Sequence, residues 1–252
     1  MVLKAVFLEF NGVILKDIDL QRRLMDKILI SENLRPDPTE FGQVCIGRSD
    51  RTCLDQLLTR RGRATSKASL DKLLAQKSRA YIQQLSADNT LPLYPGLQDF
   101  LYQLKAASLP LGVVTAAQKA EVDWVLAQAN LIDQFAVTIT GNDLTVDEDK
   151  PATKLYEQAI ARLNEQLPQS ASQSASQLAI LPEECLAVEA SFAGITAAKQ
   201  ARVPVVGVAH FYPYRMMQRQ ATWAVDYLNE IDLAWIQQRY EPKPLTVSEA
   251  SG

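Results

Sequence analysis

Histidine is almost absent from this chain, occurring once in 252 residues, at His210. One imidazole excludes multi-histidine metal sites and argues against a Ser-His-Asp triad. Cysteine is scarce too. Cys45, Cys53 and Cys185 are odd in number and form no CxxC, which argues against a disulfide framework or a zinc site. No apolar run approaches the roughly 20 residues that span a bilayer. The first residues read straight into a strand, without the n- and h-regions of a signal peptide, so the expected location is cytoplasmic. A basic excess is also missing: 26 Lys+Arg face 29 Asp+Glu, a formal net charge of −3. Nucleic-acid binding, which needs concentrated cations, is therefore not expected. The densest basic run, Arg60-Arg61-Gly62-Arg63, reads as a solvated helix end.

What is present is ordinary for a globular chain. A hydrophobic content of 47% with 22% charged residues excludes disordered and collagen-like classes. The length allows one large domain, or a core with a smaller insertion. With histidine and cysteine so rare, carboxylates are left as the candidates for chemistry.

Six apolar segments rich in β-branched residues read as buried strands: 2–10, 109–115, 135–140, 185–189, 205–209 and 224–227. Helical spacing lies between most of them, as in Leu97-Phe100-Leu101-Leu104, Val122-Val125-Leu126 and Leu155-Tyr156-Ala159-Ile160. This alternation predicts a doubly wound α/β core with a parallel sheet, whose ligands sit at the carboxyl ends of the strands. Residues 16–93 break the pattern. Leu20-Leu24-Ile28, Cys53-Leu54-Leu57-Leu58 and Leu70-Leu74-Lys77-Tyr81 are stripes of an all-helical block, and Tyr94-Pro95-Gly96 marks the return to the core. The expected organisation is a core of 1–15 plus 94–252 with a helical cap over 16–93. Within the core, 168–178 reads as a flexible Ser/Gln/Ala loop around the duplicated SASQSASQ, either a solvated insertion or a partner contact.

The first strand ends in Leu8-Glu9-Phe10-Asn11-Gly12-Val13-Ile14. Thr115 ends the second strand, Lys150-Pro151 precedes a helix, and Glu189-Ala190-Ser191-Phe192-Ala193-Gly194-Ile195 follows the fourth. These four ordered segments resemble the motifs of the haloacid dehalogenase-like (HAD) superfamily. More narrowly, they resemble its β-phosphoglucomutase and phosphoglycolate-phosphatase branch, which carries a helical cap after the first motif. The resemblance implies a Rossmann-like HAD core and phosphoryl-transfer chemistry. In that chemistry an Asp attacks phosphorus, a second Asp two residues on serves as acid and base, and Mg²⁺ neutralises the developing charge. A Ser/Thr and a Lys hold the phosphoryl oxygens.

Three positions depart from that pattern. Glu9 stands at the nucleophile, Asn11 at the acid/base and Ala190 at a metal-binding Asp. Glu9 keeps a carboxylate but moves it by about 1.5 Å, one C–C bond; a misplacement of ~1 Å can cost ~10²-fold in rate. Asn11 has no acidic proton to give, a role worth ~10²–10⁴. Ala190 offers Mg²⁺ no side-chain oxygen. The resemblance, so altered, implies a pseudo-phosphatase without a cofactor, acting through a protein partner or a phosphorylated small molecule. The competing expectation is a weak Mg²⁺-dependent hydrolase or mutase that uses Glu9, with Glu9 and Glu189 as metal ligands. Thr115, Lys150, Gly12 and Ser191 are the candidate phosphate-binding residues, and Lys150 could instead pair with Glu9 or Glu189. Arg48, Asp50 and Arg51 match the cap loop that closes over the site, with Asp50 where the mutase branch commonly has Arg. His210 reads as a loop residue without a catalytic part. Phe211-Tyr212-Pro213-Tyr214 with Met216-Met217 reads as core or as an interface.

Overall fold

The computed structural model describes residues 2–88, 90–167 and 179–240. The proposed Ser/Gln/Ala loop at 168–178 lies outside the described residues. All six expected strands form, in one parallel sheet of order β3-β2-β1-β4-β5-β6. They are β1 (Ala5–Leu8), β2 (Leu111–Val114), β3 (Val137–Ile139), β4 (Cys185–Glu189), β5 (Val205–Val208) and β6 (Trp223–Val225). All the ladders except β4 are shorter than the apolar runs. Glu9 and Phe10 remain buried but leave the β1 pairing to enter the turn at Gly12. The last strand begins one residue earlier than expected, because Trp223 pairs with Val206.

Alternate residues of β1 feed opposite faces, as the two-residue strand period requires. Val6 and Leu8 pack with α5 (Leu97–Ala106), α6 (Lys119–Gln128) and α10 (Leu233–Tyr240). Ala5 and Phe7 pack with α7 (Lys154–Glu165), α8 (Phe192–Gln200) and α9 (Tyr214–Gln220). Helices on both faces of a parallel sheet make this a doubly wound, Rossmann-like core.

Between β1 and α5 stand α1 (Ile18–Ser31), α2 (Glu40–Val44), α3 (Asp50–Thr59) and α4 (Lys67–Ala87). They enclose a separate apolar core that includes Met25, Ile28, Phe41, Leu54, Leu57 and Leu74. Ser49 and Ser66 cap α3 and α4, accepting from the backbone N–H of Thr52 and Ser69. The two connections to the core run side by side, joined by an antiparallel bridge between Leu15 and Leu93.

Cysteine pairing overturns one expectation. Cys45 and Cys53 form a disulfide, with Cα atoms 4.7 Å apart. Cys45 ends α2 and Cys53 lies one turn into α3, so the reversal between the helices brings them together. An odd cysteine count excludes a complete framework but not one pair beside one core thiol. Cys185 is that thiol, buried in β4.

Candidate functional site

Parallel register brings two carboxylates to the centre of the sheet. Leu8 pairs with Val188, and the Glu9 N–H donates to the Val188 carbonyl at 3.0 Å. Glu9, just past β1, and Glu189, the last residue of β4, therefore emerge side by side at the switch point between the two halves of the sheet. Lys150, fully buried, lies between them. Its Nζ donates to Glu9 Oε2 at 2.5 Å and to Glu189 Oε1 at 2.6 Å, with the Val114 carbonyl at 3.3 Å. The other Glu9 oxygen accepts from the Phe10 N–H at 2.8 Å. Tyr156 donates its hydroxyl to Glu189 Oε1 at 2.8 Å. Of the two alternatives for Lys150, pairing is realised, and with both carboxylates at once.

Two carboxylates and one ammonium leave a net negative charge in a buried site. Burial, only partly offset by Lys150 and reinforced by the Glu9 charge, pushes the Glu189 carboxyl up to about 7. Its Oε2 has no hydrogen-bond partner and lies against the Cα of Gly194, where a methyl group would overlap it. Burial pulls the Lys150 ammonium the other way, but Glu189 and Glu9 outweigh it and hold the group charged.

Lys150 and Gly12 do not join Thr115 and Ser191 along the cavity beside this cluster. That cavity, lined by Glu9, Asn11, Arg48, Thr115, Ser191 and Phe211 among others, is only about 40 Å³. At roughly 10–15 Å³ of such space per water, it has room for a few waters. Of the expected phosphate donors, Lys150 and the Gly12 N–H have other partners, whereas the Ser191 and Thr115 hydroxyls accept in the bonds they make and can still donate. Lys150 is held by its carboxylates, the Gly12 N–H donates to the Leu15 carbonyl at 2.9 Å, and Ser191 Oγ caps α8. Thr115 Oγ1 accepts from the Ala117 N–H at 3.1 Å.

Around Gly12 the site is filled with rings. Gly12 adopts φ +89°, and its Cα faces the Phe211 ring and the Ala190 methyl at distances that leave no room for a side chain. His210 donates its Nδ1–H to the Gly12 carbonyl at 2.6 Å and stacks on Tyr94, ring centroids 3.8 Å apart. Burial lowers the His210 pKa. Tyr212 stacks on Phe192, which places this half of the aromatic run against the core. The donor set suits Mg²⁺ poorly. The ion asks for six oxygens, yet Glu9 and Glu189 hold an ammonium and residue 190 is a methyl. No third Asp, Glu, His or Cys completes a cluster among the described residues.

A second buried lysine was not anticipated as a site residue. Lys77, on α4, donates to Asp50 at 2.7 Å and to both oxygens of Glu121, on α6, at 3.0 and 3.1 Å. Asp50 is thus held by a cation within the insert. Ser78 donates to Glu121 at 2.7 Å, and Gln21 links Glu121 to Asp17. Asp17 Oδ2 also accepts from Tyr81 at 2.7 Å and from the Asn11 amide at 2.7 Å. Burial raises the pKa of both Glu121 and Asp17. The signal was a lysine inside the apolar stripe Leu70-Leu74-Lys77-Tyr81. Asp149 was missed as well: it accepts from the Ser49 N–H at 2.9 Å and from Ser49 Oγ at 3.0 Å, tying the α2–α3 turn to the core. Of the turn's cations, Arg48 faces the cavity, while Arg51 pairs with Asp71 on the insert and borders a different cleft.

A doubly wound core with paired acids at its switch point and a helical insert after β1 defines the class. Within that class, the family model for haloacid dehalogenase-like hydrolases matches residues 3–202, and the chain belongs to this family. Its relatives include the β-phosphoglucomutase of Bacillus subtilis, 26% identical over 213 residues, which cover 84% of this chain and 85% of that one. Among solved structures, the β-phosphoglucomutase of Clostridium difficile superposes with a TM-score of 0.79 at 20% identity, covering 95% of this chain and 97% of its own. The CbbY protein of Rhodobacter sphaeroides, in complex with phosphate, gives 0.76 at 18% identity, with 93% and 98% covered.

Proposed function

We propose that this protein is a HAD-fold pseudo-phosphatase, which works by binding a protein partner or a phosphorylated small molecule and needs no Mg²⁺. One observation carries the reading: the Lys150 ammonium bridges Glu9 and Glu189, occupying carboxylate oxygens that the family chemistry needs for attack and for metal. Both Glu9 oxygens are engaged, so attack on phosphorus would first require breaking a buried ion pair. Asn11 spends its amide on Asp17 and has no proton to deliver to a leaving group. The reading carries a cytoplasmic location with it, which cell fractionation would check.

The runner-up is a slow phosphomonoester hydrolase with Glu9 as nucleophile. Its support is the company the chain keeps, relatives named as a mutase and as phosphatases. The deciding assay follows hydrolysis of a phosphomonoester panel with Mg²⁺, by the natural chain and by the triple variant Glu9→Asp, Asn11→Asp, Ala190→Asp. Phe211→Ala is added to these in a second, quadruple variant to clear space near residue 190. Turnover confined to the reverted variants is the expected result. Robust turnover by the natural chain that vanishes in Glu9→Gln would establish the hydrolase instead.

A further inference from the structure

We infer that Cys45 and Cys53 form a thiol–disulfide exchange site that sets how firmly the helical insert closes over the strand ends. The pair, eight residues apart, ties the end of α2 to the first turn of α3 and makes the intervening turn a closed ring. That turn carries the contacts that shut the cavity. Gly47, at φ +77°, lies with its Cα against the Ser191 side chain. Ser49 holds Asp149 through both its N–H and its hydroxyl. Asp50 holds Lys77, which reaches across to Glu121 on the core. Arg48 lines the cavity itself. A crosslink here therefore acts on the turn that meets the core, while its two sulfurs pack in the insert's own apolar core.

Both sulfurs are buried, Cys45 being 7% and Cys53 1% exposed, and of the two only Cys45 lines the cavity, so a thiolate that enters as the insert opens meets Cys45 first. A dithiol reductant supplies the two electrons and two protons. One of its thiolates attacks the Cys45 sulfur, the Cys45–Cys53 bond breaks, and Cys53 leaves as a thiolate that takes up a proton. The reductant's second thiol then displaces Cys45, which takes up the second proton, and the reductant departs as a disulfide. Cys185 takes no part: it is buried in β4, its Sγ lies 3.5 Å from the Leu181 carbonyl, and burial pushes its thiol up to about 12. In a reducing compartment such a bond is transient and sensing rather than permanent. Coupling between crosslink and closure is reciprocal, so an opened insert is also the more readily reduced form.

The inference rests on the closed geometry and not on the functional reading above, and its test uses neither ligand nor turnover. The full chain, oxidised or treated with dithiothreitol, is compared by thiol titration after denaturation and by hydrogen–deuterium exchange in the folded state. One thiol before reduction and three after it are expected. Exchange over residues 46–52 and at the Ser191–Gly194 turn should rise on the order of tenfold on reduction, with β1 and β4 unchanged. Cys45→Ser should reproduce the reduced pattern and no longer respond to dithiothreitol. If that variant does not fold, reduction and reoxidation of the natural chain makes the same comparison. Three thiols without reductant, identical exchange in the two states, or a rise spread evenly over the whole chain would each overturn the assignment.

Discussion

Lys150 and Lys77 are both fully buried, and each is gripped by two carboxylates, yet they secure different things. Lys150 joins groups that all belong to the core, two of them fixed by adjacent strands. Lys77 joins the insert, through α4 and Asp50, to the core, through Glu121. The first cluster is buried within the core, so removing one member strands the others there without an opposite charge. The second sits on a boundary, where lifting the insert admits water to whatever is left unpaired. The same chemistry is therefore structural cement in one place and a releasable fastening in the other.

That contrast can be broken most forcefully at Lys150. Replacing it with Met leaves Glu9 and Glu189 buried without a counter-charge, and urea unfolding should show a loss of about 3–5 kcal/mol. A loss below about 1 kcal/mol would mean that the site is wetter than its burial implies. The next largest effect is on pH dependence. An unfolded chain releases the Glu189 proton near 4.5, while the folded one keeps it to about 7. Between those values the unfolded state binds fewer protons, so this group's contribution to stability is full below 4.5 and fades as the pH rises to 7. The difference amounts to roughly 3 kcal/mol, and Glu189→Gln should flatten it in unfolding curves across that window. Lys77→Met should cost on the order of 1–3 kcal/mol, with faster amide exchange concentrated in α3 and α4. Equal global losses for the two lysines would erase the distinction. Gly194→Ala sharpens the core side: its methyl overlaps the Glu189 carboxylate, at a cost of about 1–3 kcal/mol. Smallest is Arg51→Ala, whose ion pair with Asp71 is exposed and should leave the urea midpoint unchanged.

The sheet was legible because burial on both faces writes each strand as a continuous apolar run, and the strand ends were legible through the motif resemblance at Glu9, Thr115, Lys150 and Glu189. The junction was not. Lys77 announced itself as a cation in an apolar stripe, but its partner Glu121 lies 44 residues away on another element, and no spacing rule connects them. Asp50 read only as an acid at a cap-loop position where the mutase branch commonly has Arg; its partner is contributed by α4. The Cys45–Cys53 pair was missed for a related reason: counting cysteines ignores the helix reversal that brings two of them together.

The register of β1 against β4 has a consequence for how this chain can change. It spaces residues 9 and 189 by backbone pairing, a distance that no loop movement can widen. An altered charge at either position has to be answered by residue 150, and an altered residue 150 by both of them. The three positions are therefore bound in a single epistatic unit, in which a charge lost at one leaves the others buried without their partner.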